Sequence, residues 1–169
     1  TGAKALVLDA WRGERVSAQA VLSTPVDLSR VTMEVSDLKC GKSIIPAASV
    51  RKYFVRYVMT DELNKDGRGG CGYRKPVDFD SLLVADPIDH LLPSMDLPAQ
   101  SVQPIWVQCW IPQSAVAGTY QGDLLVNNGT QLLQRLQLTV EVVDRVLPQP
   151  SEWAFHLDLW QNPYAVARY

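Results

Sequence analysis

The sequence predicts an all-β chain, an antiparallel β-sandwich of about eight strands and immunoglobulin-like in outline. Three observations predict it. Residues 103–143 divide into three apolar runs separated by turn chemistry. Within the first run Ile105, Val107, Cys109 and Ile111 alternate with Trp106, Gln108 and Trp110, the period of two that marks a strand with one buried face. The same period recurs upstream, in residues 14–22 and 26–39.

Taken in order, residues 6–9 form a short apolar run ending in a turn at Ala10-Trp11-Arg12-Gly13, with Trp11 read as a packing plug. In residues 14–22, Val16, Ala18, Ala20 and Leu22 oppose Ser17 and Gln19, and Thr24-Pro25 stops the run. In residues 26–39, Val31, Met33 and Val35 oppose Thr32, Glu34 and Ser36, before a connection at Cys40-Gly41-Lys42-Ser43. Residues 47–60 carry Tyr53, Val55, Tyr57 and Met59 on one face and Phe54 and Val58 on the other. A strand apolar on both faces is covered on both sides or lies against something else. Residues 61–75 hold four glycines and many charges, the composition of a surface loop. A short strand follows at 82–85, then a segment punctuated by Pro87 and Pro93, then an irregular connection over 95–102.

Pro104 and Pro112 bracket the 105–111 run, since proline cannot donate to the middle of a ladder. Gly118 and Gly122 flank Thr119-Tyr120-Gln121, where the next strand begins. Asn128-Gly129 closes a tight type I′ hairpin, because both residues tolerate positive φ. The returning strand places Leu132, Leu136, Leu138, Val140 and Val142 on one face, with Gln134 breaking the pattern. Pro148 and Pro150 then read as a stiff linker. The expected organisation is a sandwich domain at 1–147, a Pro-rich linker at 148–152, and at 153–169 the first strand and helix start of a second domain that this chain holds only in part.

The chain has 169 residues, long enough for a disulfide-independent core that buries about two-thirds of the unfolded surface. Sixteen basic residues face eighteen acidic ones, so the basic footprint of a nucleic-acid binder is missing. No apolar run approaches the roughly 20 residues needed to span a bilayer as a helix. Three cysteines give an odd count whose spacing fits no zinc pattern. Cys109 falls on an inward face, as a small hydrophobe. Cys40 and Cys71 form a candidate disulfide in an exported chain; the alternative is two unpaired thiols.

Catalytic chemistry is hard to assemble from these residues. The two histidines, His90 and His156, belong to no evident Ser-His-Asp or Cys-His set, and His90 reads as a surface residue. The acidic spacing in the 61–75 loop fails the EF-hand pattern, and Gly69-Gly70-Cys71-Gly72 lacks the Lys-Ser/Thr ending of a phosphate loop. Glycoside hydrolysis needs two carboxyl groups about 5–9 Å apart across a cleft, and no spacing singles out a pair. No catalytic residue, metal or cofactor is expected. Trp106 and Trp110 are the constellation to weigh: on one sheet face, roughly 13 Å apart by strand rise. A domain interface, a core position and a sugar-stacking platform all fit them.

Three segments, GERVSAQAVL, QPIWVQCWIPQSAVAGTYQGDLLV and LPQPSEWAFHLDLWQNPYAVARY, together resemble the N-terminal region of glycoside hydrolase family 123 and its relatives of unknown function. The resemblance implies a β-sandwich preceding a (β/α)8 barrel that removes terminal N-acetylgalactosamine by a substrate-assisted, retaining mechanism. It implies an adjacent Asp-Glu pair inside the barrel. The only such dipeptide here, Asp61-Glu62, opens a loop in the other domain, so no catalytic residue carries over. Asp158, Trp160 and Gln161 would match the first barrel strand and its exit, at the strand end that faces a barrel's active site. The implied role is a non-catalytic accessory module whose partner is its own barrel, with a free-standing carbohydrate-binding module as the alternative and glycan as its ligand. Export to a bacterial periplasm or cell surface is likewise implied by the resemblance alone.

Overall fold

The computed structural model describes residues 5–60 and 82–155. Among them eleven strands form two sheets that face each other across an apolar core. The first sheet contains β1 (Ala5–Arg12), β3 (Leu28–Val35), β8 (Met95–Leu97), β10 (Gly118–Asn128) and β11 (Gln131–Val146), in the order β1-β11-β10-β3-β8. A small hairpin of β4 (Leu38–Cys40) and β5 (Ser43–Ile45) joins it through β10. The second sheet runs β2-β9-β6-β7, from β2 (Arg15–Thr24), β9 (Ser101–Trp110), β6 (Val50–Thr60) and β7 (Leu82–Asp89). Eight strands are long; β4, β5 and β8 have three residues each, β4 and β5 flanking the connection expected at 40–43 and β8 inside the irregular connection expected over 95–102.

The alternation places the core as anticipated. Ile105, Val107, Cys109 and Ile111 are fully buried from one sheet, and Leu124, Leu138 and Val140 from the other. Val31 and Met33 point inward with them. Burying an aliphatic side chain of this size contributes about 1.5–3 kcal/mol, so the facing rows hold the sheets together. The largest fully buried side chain, Tyr120, brings a hydroxyl that also needs partners. Its Oη shares a hydrogen with Ser43 Oγ (2.7 Å) and lies 3.1 Å from the backbone N and O of Val116.

Several local expectations give way to strand pairing. The predicted turn at 10–13 is the end of β1, which pairs parallel with β11 from Ala5↔Gln137 onward. Cys40-Gly41-Lys42-Ser43 is the tip of the β4–β5 hairpin. The strand expected over 82–85 continues to Asp89 because β7 is a sheet edge, and Pro87 falls in the register shift between Val55/Ile88 and Tyr57/Ala85, where no ladder donor is required. Pro104 lies inside β9 rather than before it, and β6 pairing with β9 stops at Phe54↔Ile105. The buried Gln103 side-chain amide donates to Val55 O (2.7 Å), serving a carbonyl that a proline N could not.

At the β10–β11 turn, Asn128 pairs with Gln131, so the central residues are Gly129 and Thr130. Only Gly129 has positive φ there (58°), the sign pattern of a type II′ rather than a type I′ turn. The register then shifts between Val126↔Gln134 and Asn127↔Leu132, so Leu133 is an extra residue. Such a bulge inverts the faces of the residues before it. Leu132, expected inward, is therefore exposed. In β6 both Phe54 and Val55 are buried, while beyond the register shift Tyr57, Val58 and Met59 are exposed on a ribbon paired only with β7.

Gly122 marks a close approach of chains. A Cβ there would stand 2.6 Å from Leu38 Cδ2 and 2.8 Å from both Asp37 O and Ser36 Oγ. Gly122→Ala is expected to destabilise the fold by about 1–3 kcal/mol, the usual cost of overpacking. A urea midpoint equal to that of the unsubstituted protein would contradict this.

Candidate functional site

The outer face of the second sheet carries the two predicted indoles on β9. Cross-strand partners share a face, so the register sets Trp106 in a row with Gln19 and Tyr53, and Trp110 opposite Arg15. Both tryptophans therefore lie opposite the buried row of Ile105, Val107 and Cys109. Their surroundings differ. Trp106 is half-buried in the middle of the sheet, whereas Trp110, at the last position of β9, is 47% exposed.

Trp110 stands at the end of the sandwich where the two sheets are tied by backbone. Gly13 N donates to Ile111 O (2.8 Å) and Ile111 N donates to Glu14 O (2.9 Å). The β1–β2 turn is closed by Glu14, whose carboxylate accepts Trp11 N (2.7 Å) while its own N donates to Trp11 O (3.2 Å). Leu147 N donates to Arg12 O (2.8 Å), which brings the end of β11 to the same turn. Arg12 also reaches Asp144 (Nη2–Oδ1 2.9 Å). Its Nε is buried with no partner among the described residues.

Trp11 is the residue the sequence reading placed wrongly. It is no plug: Ala10 takes the inward position and Trp11 is 45% exposed on the outer side of the first sheet. The signal was present in the alternation of Leu6, Leu8 and Ala10, which continues through Trp11 as strand.

Beyond Leu147 the chain stays structured for several residues. A 3-10 turn at Pro150–Glu152 is closed by a capping box between Gln149 and Glu152. The Trp153 indole N–H donates to Pro148 O (3.1 Å), and its ring stacks on Phe155 with centroids 5.1 Å apart. Asp158, Trp160 and Gln161 lie outside the described residues, as does Cys71. Cys40 is half-buried at the β4–β5 turn with its sulfur against Gly118.

The remaining polar groups serve local structure. Asp89 accepts Leu91 N (2.8 Å), Leu92 N (3.2 Å) and the Arg56 guanidinium (3.3 Å). These hydrogen bonds, that from Leu91 first, hold its carboxyl below the ordinary carboxylate value. They also shape the turn that carries the exposed His90. A cavity of about 790 Å³ opens between the sheets at the β1 and β2 edges, lined by Leu6, Ala20, Leu22, Leu28, Val126 and Leu136 among others. Its described lining includes no carboxylate or histidine, so what it offers is apolar contact with a few amide and hydroxyl groups. Among the described residues no three His, Cys, Asp or Glu side chains converge as for a metal ion, and no helix is long and apolar enough to cross a membrane.

Comparison with known proteins gives a consistent assignment. A family model described as the glycoside hydrolase 123 N-terminal domain matches residues 1–128. Among solved structures, a family 123 glycoside hydrolase from Clostridium perfringens, studied for glycolipid glycan hydrolysis, superimposes with a TM-score of 0.84 at 21% identity. That match covers 100% of this chain and 28% of the hydrolase. At this identity it demonstrates the sandwich fold, and this chain spans little more than a quarter of the hydrolase. A PapD-like domain of human CEP192 aligns over 85% of this chain and 83% of its own at 14% identity, with a TM-score of 0.37 too low to argue from. No curated protein matches.

Cys109 is a buried thiol on the inward face of β9. Burial pushes the Cys109 thiol from its ordinary value of 9.0 up to about 12. Because the folded value is the higher one, its contribution to stability is complete below pH 9.0 and is lost as pH rises toward 12. Cys109 is expected to resist iodoacetamide in the native protein at pH 8 and to react once urea unfolds it. Peptide mapping that finds Cys109 alkylated rapidly without urea would mean that β9 opens readily.

Proposed function

The chain belongs to the glycoside hydrolase 123 N-terminal domain family, and on that premise we propose that it is the non-catalytic sandwich module of a glycan-degrading hydrolase. One observation carries the proposal: the structural match covers 100% of this chain but only 28% of the solved hydrolase of family 123. In this reading the chemistry resides in polypeptide outside these residues, and the module supports and orients the domain that performs it. Residues 148–152 are the connection and 153–169 begin the catalytic barrel. Asp158, Trp160 and Gln161 then contribute to the floor or rim of the active site.

The finer identity of the parent follows from the sequence resemblance described above. It supports an N-acetylhexosaminidase type acting on terminal N-acetylgalactosamine, exported to a bacterial periplasm or surface. The lining of the large inter-sheet cavity fits a module without hydrolytic work of its own, since glycoside hydrolysis calls on paired carboxyl groups.

The test is enzymatic. This chain, purified, is expected to give no turnover of a chromogenic N-acetylgalactosaminide, while the longer polypeptide carrying it hydrolyses the same substrate. Turnover by the chain alone, co-purifying with it through two orthogonal columns, would overturn the reading.

A further inference from the structure

The sandwich has two ends and two outer faces, and they differ in what they expose. At the end where the chain leaves, Trp11 and Trp110 are both about half exposed, on the outer sides of opposite sheets. Val146, paired with Arg12, is exposed beside the same turn. Exposed tryptophans at the same end of a domain are a recognised sign of a protein contact, because indoles dominate interface energies. The backbone ties from Gly13, Glu14 and Arg12 to Ile111 and Leu147 hold both indoles on one rigid frame.

The path of the chain identifies the occupant. Eight Cα-to-Cα steps lead from Leu147, bonded to Arg12, to Phe155. Even fully extended they would reach only ~28 Å, and the 3-10 turn and the Trp153–Pro148 bond shorten that reach. Phe155, 63% exposed, stacks on Trp153 and extends the aromatic surface along the exit. The solved hydrolase has most of its chain outside the matched part.

We propose that this end of the sandwich, centred on Trp11 and Trp110, is the docking surface for the domain that continues the polypeptide after residue 155. This rests on the accessory reading above and goes beyond it. Contact is end-on, through the β1–β2 turn and the last residue of β9, rather than through the broad outer face that carries Trp106. Trp110 and Trp106 then have separate tasks, one in the inter-domain contact and one in covering its own sheet.

The experiment is hydroxyl-radical footprinting of the longer polypeptide, read residue by residue by mass spectrometry. Trp11 and Trp110 are expected to be protected, while Val21 (60% exposed) and Leu83 (64% exposed) on other surfaces label freely. Labelling of either indole to the extent of a free tryptophan overturns the inference. If Val21 or Leu83 is protected instead, the domains dock through another surface and the accessory reading stands. If all four label freely, this end is not the docking surface and the inference falls, while the accessory reading stands on its enzymatic test. A second arm uses Trp110→Glu in the same polypeptide. It is expected to split one calorimetric unfolding transition into two, and a single unshifted transition counts against the inference.

Discussion

The structure depends on a backbone knot where two sheets meet one turn. Gly13 and Glu14 exchange hydrogen bonds with Ile111, and Arg12 accepts one from Leu147. Two of these bonds carry the β2–β9 ladder of one sheet into the turn and the third carries the β1–β11 ladder of the other, so the β1–β2 turn is anchored to both sheets. Each bond satisfies a backbone group that would otherwise sit unpaired at the rim of the core. Because the end of the first strand and the exit of the last meet beside this knot, the position of the exit segment is coupled to the β1–β2 turn. Loosening one releases the other.

Above the knot, the two sheets are held by packing rather than by directed bonds. The inward rows of β9 and of β10 and β11 are aliphatic and fully buried. The polar groups admitted among them have specific partners. Tyr120 gives its hydroxyl to Ser43 and Val116, pinning the β4–β5 hairpin and the loop before β10 to the main sheet. Gln103 gives its amide to Val55 and Pro104, where a proline interrupts the ladder between β9 and β6. A buried polar group without a partner costs about 1–3 kcal/mol. These two side chains therefore define local geometry as well as filling space. Gly122 has a related role through the space it leaves, letting β10 press against residues 36–38.

This arrangement suits the accessory role proposed above. The aromatic groups left on the surface are held by backbone bonds and short turns, as a contact between domains requires, since an interface gains most when its anchors are ordered before binding. The exit segment follows the same logic: the Gln149–Glu152 capping box and the Trp153–Pro148 bond restrict the chain after β11. A linker with few accessible conformations transmits the orientation of one domain to the next.

Much of the fold was legible in the sequence. Period-two alternation determined that the chain is all-β, which residues face inward on β2, β3 and β9, and that Trp106 and Trp110 share an outer face. It did so because the strand repeat is a local property of two successive residues. The candidate site was legible only in part: Trp110 was legible as an outward-facing indole, whereas Trp11, read as a plug, is exposed. Tertiary structure alone decided the parallel pairing of β1 with β11, the bulge at Leu133 that turns Leu132 outward, and the separate environments of Trp106 and Trp110. Each of these depends on which strand lies alongside and in what register, a choice made by groups distant in the chain. Alternation alone leaves that choice open.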